Sequence, residues 1–408
     1  MGKKEIFIIK IIFFLIIIES FFFKIDNKRN KFTDFHNYKL IKSLYNITYI
    51  NLYIDYINNC QLLNRINNTN FIKREYPFLS ICISTYNSEK YIEKAILSII
   101  NQSFKDFEIV IVNDNSDDKT FEILLKLQKE DKRIKIINHS QNLGTYHSRV
   151  EGVLNSKSKY IAFLDPDDMI LNPFLFEKIY NCYLQYNTDI IEYSAFHLIE
   201  ETNKFHYPIL QEFNHYHNFS NKVIYQPELS NIIYYKPNSK EYSAIICRTI
   251  WSKAYKKKLL LESINYIGRA YYTKYYIIVV EDTILSIIIF NFAKNYTNLN
   301  IPGYLYNLRK SSISHSNEGI DFLKKKSISF ILYFSLFYRY IKEFDKDRNY
   351  LYYELKDFGF EIMNIIKYNN TEYYLKMAKN MLNDIINDNK ANEEFKKYIK
   401  LYFQTILN

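Results

Sequence analysis

From Pro77 onward, short apolar runs of strand length alternate with longer amphipathic stretches, and this alternation restricts the fold more than any other feature of the chain. The predicted strands are Leu79–Ser84, Glu108–Asn113, Arg133–Asn138, Lys159–Asp165 and Asp189–Phe196. The predicted helices between them are Glu89–Asn101, Lys119–Glu130, Thr145–Asn155 and Pro173–Tyr186. Strands separated by helices of this length form βαβ units with right-handed crossovers. The sequence therefore predicts an α/β fold with a mostly parallel central sheet flanked by helices.

Polar clusters follow the first four predicted strands. They are Ser84-Thr85-Tyr86-Asn87, the run from Asn113 to Asp118, Asn142-Leu143-Gly144, and Asp165-Pro166-Asp167-Asp168. Asn, Asp, Ser and Gly are also the usual residues of turns, so each cluster alone is compatible with a simple turn. Parallel α/β sheets bind their ligands beyond the carboxyl ends of the strands. Together, the four clusters predict one ligand site along that edge of the sheet.

The fourth cluster carries three carboxylates within four residues, on Asp165, Asp167 and Asp168. Like charges held this close raise each other's pKa, which makes the cluster costly at the end of a half-buried strand. A divalent cation would offset that cost, because hard cations bind carboxylate oxygens and keep other positions for waters and substrate phosphates. The alternative is a solvated acidic turn that caps the helix beginning at Pro173, with Asn172 as its N-cap.

Composition excludes few classes of protein. The 408 residues carry a net charge of +10, but the lysines are scattered along the chain and no arginine-rich arm accompanies them. We therefore expect a solvated basic surface and no nucleic-acid partner. The 40 Tyr and 31 Phe are abundant together with Ile, Asn and Lys, all of which have A/T-rich codons, so aromatic content is not a functional signal. The four cysteines match no metal-ligand spacing.

The N-terminus differs from the rest of the chain because Ile6–Phe23 is almost wholly apolar. This length is near the lower limit for a spanning helix, roughly 17–25 residues. No small-residue cleavage site follows, so residues 1–24 are predicted to be an uncleaved single-pass membrane anchor, with a cleaved signal peptide as the alternative. In a eukaryote this would place the protein in the endoplasmic reticulum or Golgi. The charges flanking the segment leave the side of the membrane open.

The motifs of the central region resemble those of the family 2 glycosyltransferases with the GT-A fold. The resemblance begins with FLSICISTYNSEKYIEKAILSIINQSFKDFEIVIVNDNSDDKT, from Phe78 to Thr120. It continues through NLGTYHSRVEG and FLDPDD, and then through WSKAYKKKLL, Glu281-Asp282 and YNLRKSSIS in the expected order. It implies a catalytic domain at residues 77–320. The polar, Asn-rich residues 25–76 are predicted to be a stem, and the long amphipathic stretches of residues 321–408 predict a helical extension.

The resemblance also implies roles for individual residues. The residues expected to bind the donor nucleotide are Ser84, Thr85, Tyr86, Asn87, Asp114, Arg149 and Asp165. Asp167 and Asp168 would hold Mn²⁺ or Mg²⁺ on the donor diphosphate, and Arg309 would lie on a loop over that diphosphate. Asp282 would be the general base of an inverting transfer from a UDP-sugar to a glycan, glycoprotein or glycolipid acceptor.

Several alternatives remain open at the level of sequence. Asp282 could simply open a helix, and Arg149 could be an exposed helix arginine. The chain could also be a non-catalytic sugar- or nucleotide-binding module. A nucleotidyltransferase would be expected to have a Gly-rich basic loop after the first strand, and Ser84-Thr85-Tyr86-Asn87 is not such a loop. The histidines lack a ligand-like spacing and are interpreted as incidental. The apolar stretch Ser327–Phe337 is too short for a confident membrane span and is predicted to be a buried helix.

Overall fold

The computed structural model describes residues 75–199, 204–206, 222–226, 229, 249–268, 281–309, 320–344 and 372–407. These residues belong to one compact unit, Asn70–Asn408. The strands are β1 Leu79–Thr85, β2 Phe107–Asn113, β3 Ile134–Asn138, β4 Tyr160–Phe163, β5 Met169–Ile170, β6 Ile190–Ile199, β7 Lys204–His206, β8 Val223–Tyr225, β9 Lys253–Lys256 and β10 Asn295–Leu308. The helices are α1 Ile92–Ile100, α2 Thr120–Glu130, α3 Thr145–Asn155, α4 Leu175–Tyr186, α5 Lys257–Ile267, α6 Glu281–Phe292, α7 Ile320–Glu343, α8 Glu372–Ile386, α9 Glu393–Tyr402 and α10 Gln404–Leu407.

The first half of the sheet is parallel and follows the predicted order of elements. Strand β1 pairs in parallel with β2 on one side and with β4 on the other, and β2 pairs in parallel with β3. Every residue of β2 is buried, because helices cover both faces of a parallel sheet. The β1–β2 register places Thr85 opposite Asn113, so two of the polar strand ends lie side by side.

The second half makes the sheet mixed. The strand order is β3-β2-β1-β4-β9-β6-β10-β5, with β7 and β8 paired to β6 and β10. Strand β9 runs antiparallel to both β4 and β6, whereas β10 is parallel to β6. The short strand β5 follows the acidic cluster and pairs antiparallel with β10, where Tyr304 lies opposite Ile170. This pairing carries the end of β10 to the acidic cluster.

Helix α4 begins at Leu175, two residues later than predicted, and its N-cap position is Phe174. The side chain of Asn172 instead accepts a hydrogen bond from the backbone N–H of Phe174, 2.9 Å away. Asn172 is therefore not the N-cap that the acidic-turn alternative assigned to it, although its side chain still closes the turn before the helix.

The C-terminal helices share one apolar core with α5 and α6. Helix α6 is apolar on almost all sides, with Thr283–Phe290 buried, as expected for a helix enclosed by other elements. Within α7, the residues from Phe330 to Phe334 are at most 3% exposed, so the centre of the stretch Ser327–Phe337 is a buried helix, as predicted.

The prediction of a single-pass N-terminal anchor has to be corrected. Among the residues that the structure describes, no helix combines the length and the apolar character needed to cross a bilayer. The apolar segment Ile6–Phe23, on which the prediction was based, lies outside the described residues. A membrane location is therefore not assigned.

Candidate active site

The ends of β1 and β2 and the loop after β3 are tied together by hydrogen bonds. The backbone N–H of Asp114 donates to the carbonyl of Thr85 at 2.8 Å. The side chain of Asn113 donates to Asn138 at 2.6 Å and accepts from the Ser116 hydroxyl at 2.6 Å. The predicted strand-end clusters are thus brought to one edge.

The first strand end presents both buried and exposed groups. Thr85 is buried, and among the described residues its hydroxyl has no hydrogen-bond partner. The Tyr86 side chain is 46% exposed, and Ser84 is partly exposed. Asn87 has a φ of 48°, a left-handed conformation in which asparagine is favoured among non-glycine residues. An open aromatic ring next to an unpaired hydroxyl can stack on a nucleobase.

Asp114 is buried and shapes the loop after β3. One carboxylate oxygen lies 2.7 Å from His139 Nδ1 and accepts from the Leu143 N–H at 2.9 Å, and the other accepts from the Gly144 N–H at 2.8 Å. Gly144 precedes α3 with a φ of 90°, a backbone conformation that a side chain would strain. The carboxylate thus fixes the start of α3, the helix that carries Arg149.

His139 belongs to this part of the site, although the spacing of the histidines gives no indication of it. It follows β3 directly, so the strand-end rule that selects Asp114 also selects His139. Its ring packs against His147 with 5.2 Å between the centroids. Burial and the neighbouring His139 lower the pKa of His147. The structure therefore places these two histidines, interpreted as incidental from the sequence, beside Asp114 in the candidate site.

The acidic cluster divides into two partly exposed carboxylates and one buried carboxylate. Asp165 and Asp167 retain 25% and 18% of their side-chain surface. Asp168 is 1% exposed; it accepts from the Tyr304 hydroxyl at 2.6 Å and from the Asn307 N–H at 2.8 Å. Burial and the charge of Asp167 raise the pKa of Asp168 well above its usual range. Both of its oxygens are thus engaged by β10.

The two exposed carboxylates fit a hard divalent cation better than the buried one does. Among the described residues, no three His, Cys, Asp or Glu side chains converge as a metal-binding group. Two carboxylates alone, such as those of Asp165 and Asp167, would leave several positions of a cation for waters and substrate phosphates, as Mg²⁺ generally requires. Burial and the charge of Asp165 raise the pKa of Asp167, a cost that a bound cation would offset.

Arg149 joins the acidic cluster to the start of α6. Its Nη2 lies 2.9 Å from Asp165, its Nη1 lies 2.8 Å from Glu281, and Nη1 also contacts Asp282. The residue is 6% exposed, which rules out the alternative of an exposed helix arginine. Burial by itself would lower the pKa of Arg149, but the three carboxylates outweigh this effect and raise the pKa above its usual value. The guanidinium therefore connects Asp165, predicted to bind the donor, with Asp282, predicted to be the base for the acceptor hydroxyl.

Asp282 opens α6 and also faces Arg149, so the helix-start alternative and the site prediction describe the same residue. Burial of the carboxylate, only partly offset by Arg149, raises the pKa of Asp282 to about 7. The side chain keeps 20% of its surface exposed, so it remains accessible. A carboxylate of this basicity suits proton abstraction near neutral pH.

Arg309, at the end of β10, forms a second ion pair with the acidic cluster. Its guanidinium contacts Asp167 and lies 4.4 Å above the ring of Tyr91. The predicted diphosphate residue is therefore adjacent to the carboxylate predicted to bind metal. All of the predicted site residues lie at the carboxyl edge of the sheet or beside it.

Comparison with known proteins covers the first part of the candidate site, whereas Asp282 and Arg309 lie beyond the matched residues. The sequence model described as "Glycosyl transferase family 2" matches residues 80–261. Residues 80–261 are a glycosyl transferase family 2 domain. The resemblance drawn from the sequence motifs is thereby confirmed.

Curated relatives of the family 2 domain are glycosyltransferases of bacteria and an archaeon. Glycosyltransferase GlyA of Streptococcus pneumoniae is 28% identical over 58% of this chain and 31% of its own length. An uncharacterized glycosyltransferase of Methanocaldococcus jannaschii is 41% identical over 34% and 46%. A GalNAc(5)-diNAcBac-PP-undecaprenol beta-1,3-glucosyltransferase of Campylobacter jejuni is 40% identical over 24% and 31%. The chain thus spans less than half the length of each of these relatives.

A solved structure supports the fold. The crystal structure of S. aureus TarS 1-349 in complex with UDP-GlcNAc superposes with a TM-score of 0.50 at 17% identity. The superposition covers 81% of this chain and 89% of TarS 1-349. The predicted GT-A type α/β fold with C-terminal helices is confirmed, with a sheet that is parallel in its first half and mixed in its second.

Proposed function

We propose that this chain is a metal-dependent, inverting glycosyltransferase that moves a hexosyl or N-acetylhexosaminyl group from a nucleotide diphosphate donor to an acceptor hydroxyl. The observation that carries the proposal is the Arg149 network, which holds Asp282 beside Asp165. A basic carboxylate and an acidic donor-binding turn are the two parts that such a transfer needs. The family 2 match over residues 80–261 agrees with this chemistry.

In this proposal the donor lies along the carboxyl edge of the sheet. Tyr86 stacks on the base, while Ser84, Thr85 and Asn87 line the nucleotide pocket that Asp114 shapes from below. Asp165 and Asp167 would hold Mn²⁺ or Mg²⁺, which neutralises charge on the diphosphate leaving group. Arg309 lies beside Asp167 and adds a positive charge there. Asp168, fully engaged by Tyr304 and Asn307, supports the turn from inside the protein.

Asp282 acts as the base. It accepts the proton of the acceptor hydroxyl while that oxygen bonds to the anomeric carbon and the bond to the nucleotide diphosphate breaks. Attack from the face opposite the leaving group inverts the anomeric configuration. Arg149 holds the carboxylate in place, and the charge of Glu281 keeps it basic.

Two of the similar proteins support a proposal for the donor and acceptor classes. The Campylobacter jejuni relative is named for glucosyl transfer to a lipid-linked glycan, and the TarS structure contains UDP-GlcNAc. We therefore propose a UDP-sugar as donor and a glycan- or lipid-linked hydroxyl as acceptor. UDP-GlcNAc and UDP-glucose are the first donors to test.

The test measures nucleotide released from a panel of sugar donors with Mn²⁺, with and without acceptor glycosides. Asp282→Asn is expected to reduce release by at least a hundredfold at saturating donor, because a positioned base contributes roughly 10²–10⁴-fold. Asp131→Asn is the matched control, because this carboxylate pairs with Arg133 at the opposite end of β3. Tight donor binding without turnover across the whole panel would instead establish a non-catalytic binding module.

A further inference from the structure

A lysine and a glutamate are buried together in the sheet beside the candidate site. Lys253, at the start of β9, is 0% exposed, and its Nζ lies 3.2 Å from Glu192 Oε1 on the neighbouring strand β6. Glu192 also accepts hydrogen bonds from the Tyr296 hydroxyl and from Asn298. An apolar pair of similar volume is often at least as stable as a buried ion pair. Stability alone therefore does not explain these two charges.

The lysine ammonium is directed at one short segment, Thr249–Ser252, which we name the Trp251 turn. Nζ donates to the carbonyl and to the hydroxyl of Thr249, both at 3.1 Å, and reaches the carbonyl of Trp251 at 3.5 Å. Ser252 has a φ of 57°, in the left-handed region that non-glycine residues rarely adopt. Such backbone strain persists only where the surroundings hold it, and it is concentrated at functional sites.

The Trp251 turn contacts the predicted base on one side. The backbone N–H of Ile250 donates to the Asp282 carboxylate. The Ser286 hydroxyl, one helical turn further along α6, donates to the Thr249 carbonyl at 3.0 Å. The groups that Lys253 holds are therefore adjacent to those that orient Asp282.

The same turn reaches the acidic cluster on its other side. The ring of Trp251 stacks on Tyr304 and on Tyr306, with centroid distances of 5.0 and 5.2 Å. The Tyr304 hydroxyl in turn donates to Asp168. One turn thus links the base to the donor-binding cluster.

We propose that Lys253, charge-paired with Glu192, is a positioning residue that orients Asp282 through the Trp251 turn. The proposal rests on the proposed transfer function, in which Asp282 is the base. Lys253 touches neither donor nor acceptor; it fixes the carbonyls of the turn and, through them, the Ile250 N–H. Within the part of the chain that the structure describes, the other charged groups facing Asp282 are Arg149 and Glu281, with Asp165 on the far side of Arg149.

The test uses the full chain with Lys253→Met and Glu192→Gln combined, so that no unpaired charge remains buried. Trp251 is the single tryptophan of the protein, so its fluorescence reports on the turn independently of activity. We expect acrylamide quenching of this tryptophan to increase at least twofold. With UDP-GlcNAc and Mn²⁺ as probes, we expect kcat to fall at least tenfold while the donor KM stays within twofold. The acid limb of the pH–rate profile should move to higher pH, because Asp282 loses a hydrogen bond that favours its charged form.

The matched control is Lys135→Met combined with Glu108→Gln, another lysine–glutamate pair of the sheet, near the amino ends of β2 and β3. It is expected to leave both the tryptophan quenching and kcat at wild-type values. If the double variant at Lys253 and Glu192 does not fold, Thr249→Val replaces it, because this change removes one acceptor of the ammonium and leaves the charges paired. A folded test variant that keeps wild-type quenching and kcat overturns the proposal. A wild-type protein that never turns over donor refutes the proposed function instead, and the quenching then still shows whether Lys253 holds the turn.

Discussion

Replacing Arg149 by methionine tests the connection between the two halves of the site. The guanidinium contacts Asp165, Glu281 and Asp282, and its charge holds down the pKa of Asp282, which is about 7 in its presence. A neighbouring opposite charge lowers a carboxyl pKa by about 1–3, so its loss should raise the pKa of Asp282 to roughly 9. Because a general base must be deprotonated, the acid limb of the pH–activity profile should move to higher pH by the same number of pH units as the pKa of Asp282 rises.

The size of the effect follows from the ionised fraction of Asp282. With a pKa of about 7, half of the base is ionised at pH 7. With a pKa of roughly 9, about 1% is ionised, so kcat/KM at pH 7 should fall by roughly 50-fold and recover largely as the pH approaches 9. The assay is the pH dependence of nucleotide release at low donor concentration, with the fold checked by circular dichroism at each pH.

Two further variants make the experiment specific. Arg149→Lys keeps one positive charge but not the planar guanidinium that reaches three carboxylates. Its pH–activity profile should therefore lie between those of the wild type and of Arg149→Met. Arg133→Met is the control, because Arg133 also pairs with a carboxylate and packs on Phe107, at the amino end of β2. A loss of activity in Arg149→Met that is uniform across pH, with an unmoved acid limb, would refute this account of the base.

The remaining predictions concern the acidic cluster and the sheet. Asp167→Ala should raise the Mn²⁺ concentration needed for half-maximal activity at least tenfold without changing stability. Asp168→Ala should lower the free energy of unfolding by about 1–3 kcal/mol, because it leaves the buried Tyr304 hydroxyl and Asn307 N–H unpaired. Equal effects of the two changes in metal titrations and in urea melts would contradict this division of roles. Chelation of divalent ions should abolish nucleotide release, and added Mn²⁺ should restore it; activity that survives dialysis against EDTA would rule out the proposed metal. Gly303→Ala should destabilise the fold by about 1–3 kcal/mol in urea melts, because the added Cβ would lie 2.5 Å from a ring carbon of Tyr193. An unchanged urea midpoint would show that the Tyr193 ring moves away from the added Cβ at little energetic cost.

The sequence predicted the local elements well because their signals are local. The run from Leu79 shows its strand by β-branched residues at every second position, Ile81, Ile83 and Thr85. The helix Thr145–Asn155 was predicted with the same bounds that the structure gives. Strand-end polarity also predicted that Asp114 and the acidic cluster would share an edge. In a parallel sheet, chain order and strand direction are enough to place such residues together.

Pairings between distant segments could not be predicted in the same way. The partners of Arg149 on α6 lie more than 130 residues away, and no periodicity in the sequence specifies them. The burial of Asp168 depends on β10 crossing antiparallel to β5. For the same reason, the sequence treats Asp167 and Asp168 as equivalent, whereas the structure gives them different surroundings.

The sequence by itself determined the family resemblance, the α/β order of the five predicted strands, which are β1–β4 and β6, and the residue types available for chemistry. These depend on short-range patterns and motif order. Tertiary structure alone decided which carboxylate of the acidic cluster is buried, which arginine joins Asp282 to that cluster, and which glutamate pairs with the buried Lys253. Those features depend on desolvation and on distances between charges, and both are set only when the strands of the second half have packed against the first.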